Sequence, residues 1–233
     1  MQRLGHRAGV HVARWPPRSG TQRQRLLAWL DVDVLLDVGA NVGGYAAAVR
    51  DGGYEGQIVS FEPMSAAFRE LDAAARDDPR WAVRHMGLGK DSGEAEINIS
   101  ADSVSSSILP MARRHLETMP DENRYVGTET IRIETLDSAA AEFIDASSRV
   151  GLKMDVQGYE LAVLRGGADV LRRAVFVQTE MLLGEFYEGQ PTFRQLTDTL
   201  YDAGFRLGAF EQGHIDRQTG AVQWGDGIFV RAP

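Results

Sequence analysis

The 233 residues are 43% hydrophobic and 25% charged, which suits one domain with a buried core and excludes a disordered chain. No apolar run nears the ~18 residues of a membrane helix, so no transmembrane segment is expected. The lack of any cysteine removes disulfides, thiolate metal sites and cysteine nucleophiles, and suits a reducing, cytoplasmic setting.

A net charge of −8 conceals an uneven split: residues 1–30 carry six arginines and no acid, leaving 19 basic against 33 acidic residues beyond them. Such an acidic body argues against a nucleic-acid partner. Residues 1–30 read as a basic leader with a short helix, because Pro16-Pro17 interrupts any signal-peptide core. Residues 31–233 read as a single domain.

From residue 34 short apolar runs alternate with helical patterns, the signature of βαβ units and a mostly parallel sheet. Strands are predicted over Val34–Val38, Ile58–Phe61 and Ala82–Met86, with helices from about Gly43 to Arg50 and over Ser65–Ala75. Glu94–Ile99 alternates and suits an extra hairpin arm. Ala101–Thr128, rich in serine and interrupted by proline, breaks the rhythm and reads as an inserted lid with short helical content. Beyond it the pattern gives strand Ile131–Thr135, helix Leu136–Phe143, strand Val150–Asp155, helix Tyr159–Gly166 and strand Ala174–Thr179. A helix over Thr192–Ala203 stops at Gly204, and Phe205–Phe210 and Ile228–Arg231 are the last strands.

The strongest local signal is Asp37-Val38-Gly39-Ala40-Asn41-Val42-Gly43, directly after a strand and opening a helix. Glycines there allow positive φ and close backbone approach to a ligand. Asn41 replaces the middle glycine of the dinucleotide fingerprint, and Asp37 would repel a pyrophosphate. An acid beside this turn favours a ligand with a cationic amino group, which points from NAD toward S-adenosylmethionine. Glu62 ends the second strand, 25 residues after Asp37, where a carboxylate can accept both ribose hydroxyls. Met86 and Gly87 follow the third strand and are expected along the adenine.

Lys153 and Asp155 are two apart on a strand and share a face. Glu180 follows the strand expected beside it, so Asp155 and Glu180 should converge. Two devices could then activate a hydroxyl. The carboxylates could hold Mg²⁺, or one could act as general base with Lys153 stabilising the alkoxide. The structural alternatives are an N-capping Asp155 and a Lys153–Asp155 ion pair.

Together with Phe61-Glu62-Pro63, Ser105-Ser106-Ser107, Thr135-Leu136-Asp137, Leu164-Arg165-Gly166 and Lys153-Met154-Asp155-Val156-Gln157-Gly158-Tyr159-Glu160, the glycine turn resembles the FkbM family of S-adenosylmethionine-dependent O-methyltransferases. The resemblance runs from about residue 34 to Arg231. It implies a Rossmann-like class I methyltransferase fold, an α/β domain whose seven-stranded, mostly parallel sheet ends in an antiparallel strand.

The resemblance also implies a small-molecule or glycan acceptor, through a hydroxyl of a sugar, glycolipid or polysaccharide, with a polyketide or macrolide hydroxyl as runner-up. Ser106 is expected near the cofactor or acceptor. Gln157 stands where the resemblance leads one to expect an acid. Other classes remain: a nicotinamide-dependent oxidoreductase, or a non-catalytic nucleoside-binding module. A homodimer is compatible with the sequence.

Expected cofactor contacts are thus Asp37, Gly39, Asn41, Gly43, Glu62, Met86, Gly87, Ser106 and Asp155. Asp155, Glu180 and Lys153 are the expected catalytic residues, and Asp155 and Glu180 the expected metal ligands.

Overall fold

The computed structural model describes residues 19–116, 124–216 and 218–231. Its main sheet has seven strands in the order β3-β2-β1-β7-β8-β10-β9. These are β1 (Val34–Val38), β2 (Gln57–Phe61), β3 (Trp81–Arg84), β7 (Val150–Met154), β8 (Ala174–Leu182), β9 (Arg206–Gln212) and β10 (Trp224–Val230). All pairings are parallel except those of β10, which runs antiparallel to both its neighbours. The predicted class I arrangement, with its reversed last strand, is what the chain adopts.

Strand β1 reads Val-Leu-Leu-Asp-Val and is buried along its whole length, as a central parallel strand covered on both faces must be. Its alternation feeds two cores. Leu36 and Val38 join Leu152, Met154 and Val177 on one face, while Leu35 joins Ile58, Phe176 and Ile228 on the other. The second core also takes Leu27 and Leu30 from helix α1 (Ser19–Trp29) and its following turn. The C-terminal half of the basic segment is therefore packed onto the sheet. Residues 1–18 lie outside the described residues.

Helix α2 (Gly44–Asp51) follows the glycine turn, and α3 (Ser65–Ala75) buries Ala67, Leu71 and Ala75 at helical spacing. Helix α8 (Phe193–Asp202) opens on a capping box between Thr192 and Gln195 and is followed by Gly204 at φ +90°. Helix α5 (Leu136–Ala140) is shorter than predicted, and α7 (Ala168–Arg173) is not foreseen by the pattern. The Asp137 carboxylate holds the start of α7, accepting from the Asp169 and Val170 backbone N–H groups at 3.0 and 2.9 Å. That cap comes from 32 residues away, so local sequence carries no trace of it.

A second sheet, ordered β4-β6-β5, joins β4 (Gly87–Gly89), β5 (Gly93–Ser100) and β6 (Tyr125–Thr135). The predicted arm at 94–99 thus pairs with an 11-residue strand, and Tyr125–Thr128 belong to that strand rather than to the inserted stretch. Met86 falls just beyond β3. The described part of the insertion, residues 101–116, is tied down: Asn98 bridges to Ser107, Met111 to Tyr187, and Ser106, Ser107, Met111 and Ala112 are buried. It includes the short helix α4 (Arg113–Leu116), and residues 117–123 lie outside the described residues. No helix of the described residues is long and apolar enough to cross a membrane.

Candidate active site

The chain order reverses direction at β1, whose neighbours β2 and β7 lead to opposite halves of the sheet, and open α/β sheets bind ligands at such a point. A crevice opens there. Of the residues expected to contact the cofactor, Gly39, Asn41, Glu62, Met86, Gly87, Ser106 and Asp155 line it. Much of its remaining wall is apolar, drawn from Met64, Leu88, Ile97 and Ile131 among others, with Ser103, Ser107, Gln157 and Tyr159 beside them. Ile97 and Ile131 come from the second sheet, and sequence reasoning missed them as wall residues; each is an apolar position in an alternating strand.

The turn that starts the crevice is backbone-driven. Gly39 has φ +73°, and a Cβ on it would overlap the Asp155 carbonyl oxygen across the β1–β7 gap. Asn41 is also left-handed, at φ +49°, a conformation that asparagine tolerates better than most residues. Its N–H donates to Glu62 Oε2 at 2.8 Å, and the Met64 N–H donates to Glu62 Oε1 at 2.9 Å. Burial, only partly offset by these bonds and by Lys153, pushes the Glu62 carboxyl up to about 7. Gly43, at φ +89°, does not line the crevice; a Cβ there would press on Leu71 and Trp81, so its role is packing.

Asp37 and Lys153 lie beneath the crevice and do not line it. The reason is register: Asp37 pairs with Lys153 across β1 and β7, both facing away from Val38 and Met154. Lys153 Nζ lies 3.2 Å from Asp37 Oδ1, 3.0 Å from the Gly39 carbonyl oxygen and 3.9 Å from Asp155 Oδ2. Ser60 donates to the other Asp37 oxygen at 3.0 Å. Desolvation pulls the Lys153 pKa down, but Asp37 and Asp155 outweigh it and hold the ammonium above its ordinary value. The expectation that Asp37 meets a cationic ligand directly therefore gives way to an internal ion pair.

Glu180 lies inside β8, not after it, because pairing with β10 extends the strand to Leu182. It sits behind Asp155 without lining the crevice, and Gln157 joins the two. The Gln157 amide nitrogen donates to Asp155 Oδ1 at 2.8 Å and to Glu180 Oε2 at 2.9 Å. Its amide oxygen accepts from the Tyr187 hydroxyl at 2.6 Å. Burial first, then the charges of Asp155, Glu160 and Asp226, raise the Glu180 pKa well above the carboxylate range.

Asp226 faces Glu180 across β8 and β10, and burial together with Asp155 lifts it to about 6. Glu160 is buried at the start of α6 (Glu160–Arg165), accepts from the Val156 and Gly158 N–H groups, and is lifted by burial to about 7. Gln157, Tyr187 and Tyr159 are site residues that sequence reasoning did not assign. Trp224, Tyr187 and Phe186 pack with Met111 and Leu182 in a small core beneath the insertion. His115 meets Phe186 there in a tilted ring contact, and burial lowers its pKa.

Residues 37–207 match the family described as the methyltransferase FkbM domain. The chain belongs to the FkbM methyltransferase family. FkbM methyltransferases draw their methyl group from S-adenosylmethionine, and the crevice at the end of β1 and β2 lies within the matched region. The 2-O-methyltransferase NoeI of Sinorhizobium fredii is 26% identical over 176 residues, which span 72% of this chain and 70% of that protein. A Klebsiella pneumoniae protein proposed to be an O-methyltransferase has a crystal structure that superposes with a TM-score of 0.50. The match has 12% identity and covers 99% of this chain and 88% of that one. That likeness concerns the fold alone.

Proposed function

We propose that this FkbM methyltransferase transfers a methyl group from S-adenosylmethionine to a hydroxyl of a sugar, glycolipid or polysaccharide. The observation that carries the reading is the juxtaposition, in one crevice, of Glu62 at one side and of Asp155 and Gln157 at the other, with Glu180 bound to Gln157 behind them. The 2-O-methyltransferase relative supports oxygen as the acceptor atom. The acidic body of the chain argues against a nucleic-acid acceptor, and the cysteine-free sequence supports a cytoplasmic setting.

The residues present fit the cofactor. Glu62 has lone pairs beyond those taken by Asn41 and Met64 and would accept the ribose hydroxyls. Met64, Met86, Leu88, Ile97 and Ile131 would face the base. The cofactor supplies a methyl activated on a cationic sulfur. An acceptor hydroxyl held against Asp155 would give its proton to that carboxylate, leaving the oxygen free to take the methyl group that the cofactor supplies. Lys153 beneath keeps the negative charge of Asp155 partly balanced.

A divalent cation is the other device considered for Asp155 and Glu180. Two carboxylates alone are a sparse donor set for one. An oxygen of each carboxylate is already capped by a Gln157 N–H, and among the described residues no three His, Asp or Glu converge as a cation shell. Radiolabelled methyl transfer to a panel of free sugars, partly methylated glycans and macrolides tests the reading. Label on a carbohydrate oxygen, lost in Asp155→Asn and Glu180→Gln, is the expected result. Label confined to macrolides moves the acceptor class, and full turnover in both variants removes the pair from the mechanism.

A further inference from the structure

We propose that Gln157 is a positioning residue that stands in the place of a divalent cation, its single amide nitrogen holding Asp155 and Glu180 in one orientation toward the acceptor. The inference rests on the reading of that carboxylate pair as the acceptor side of the site. Three features of the structure lead to it.

The first is saturation. A primary amide nitrogen has two hydrogens, and here one goes to Asp155 and the other to Glu180. The amide oxygen takes the Tyr187 hydroxyl. Reversing the amide would set its oxygen against two carboxylates, so its orientation is fixed by chemistry. A hard cation bridging the same two oxygens, Asp155 Oδ1 and Glu180 Oε2, would have to displace these N–H groups.

The second is the backbone. Gln157 has φ +52°, in the left-handed region that residues with a side chain seldom adopt, and Gly158 follows at φ +92°. Ser107 Oγ donates to the Gln157 carbonyl oxygen at 2.7 Å, pinning the turn from the insertion. Such a conformation persists where surrounding contacts over-determine it, and it aims the side chain back across the ends of β7 and β8.

The third is the support behind the amide. The Tyr187 hydroxyl also lies 3.2 Å from the Ser105 carbonyl oxygen, and Tyr187 is buried in the small core beneath the insertion. Two attachments, through Ser107 and through Tyr187, therefore connect the insertion to the orientation of the carboxylate pair.

Titration of Mn²⁺ into the protein loaded with S-adenosylhomocysteine, followed by electron paramagnetic resonance, tests this without knowledge of the acceptor. The wild type is expected to show no site tighter than the millimolar range, whereas Gln157→Glu, which adds a third carboxylate and removes both donors, gains affinity at least a hundredfold. An unchanged melting temperature and S-adenosylhomocysteine affinity identify a folded variant. Equal Mn²⁺ affinity in folded wild type and Gln157→Glu overturns the proposal. So does tight Mn²⁺ binding to the wild type that is lost in Asp155→Asn, a result that needs no Gln157 variant to fold.

On an acceptor identified in the panel, Gln157→Met is expected to lower kcat at least tenfold and displace the pH profile, with S-adenosylhomocysteine affinity retained. Unchanged kcat and pH profile in Gln157→Met, with turnover still lost in Asp155→Asn, overturns the positioning role alone. Full turnover in Asp155→Asn and Glu180→Gln overturns the reading beneath it.

Discussion

The Glu62 carboxylate receives the backbone N–H of Asn41, 21 residues earlier in the chain, at 2.8 Å. One bond thereby joins the glycine turn after β1 to the acid at the end of β2, and the shape of the turn depends on the group that would grip the ribose.

Glu62→Gln is accordingly expected to do more than remove a charge. One carboxylate oxygen becomes an NH₂ group facing either the Asn41 or the Met64 N–H, donor against donor. Affinity for S-adenosylhomocysteine, measured by calorimetry, should fall about tenfold to a hundredfold, with a lower melting temperature.

The pH dependence follows from the direction of the shifts. Hydroxyl donors favour an ionised Glu62, whose carboxyl burial raises to about 7. S-adenosylhomocysteine affinity should thus weaken by about tenfold per pH unit below that value and level off above it.

Stability should run the other way. Folded Glu62 and Glu160 keep protons to about 7 that the unfolded chain releases near 4.5. Their stabilisation is whole below 4.5 and is lost as pH rises through about 7, at most about 3 kcal/mol for each. Melting temperatures recorded from pH 5 to 8 should decline, and less steeply in Glu160→Gln.

Gly39→Ala tests the close approach of β1 and β7. The new Cβ would carry a left-handed φ and collide with backbone, the Asp155 carbonyl, which no side-chain rotation relieves. A loss of roughly 3 kcal/mol or more in urea unfolding, with S-adenosylhomocysteine binding abolished, is the expected outcome.

Lys153→Met leaves Asp37 buried without its counter-ion. Removing one partner of a buried pair costs about 3–5 kcal/mol. Combining it with Asp37→Asn should recover much of that loss in a urea melt, which separates the ion pair from any role in binding the ligand.

The fold was legible in the sequence because it is written in local patterns. Alternating apolar runs mark β1, β2, β7 and β8, and Ser65–Ala75 shows its helical spacing directly. Helix α7 was not legible, since its cap is the carboxylate of a residue 32 positions earlier. In the site, Gly39, Asn41, Glu62 and Asp155 could be placed at the crevice because turn chemistry and strand ends are local properties.

What the sequence determined by itself is the alphabet of the site: a glycine turn after the first strand, an acid after the second, and carboxylates on or beside two more. Tertiary structure decided which of these face the crevice. Parallel register sets Asp37 against Lys153, beneath the crevice, and a left-handed turn lets Gln157 reach two strands at once. Both outcomes depend on neighbours far away in sequence, because a side chain's partners are chosen by strand register and backbone handedness, not by residue type alone.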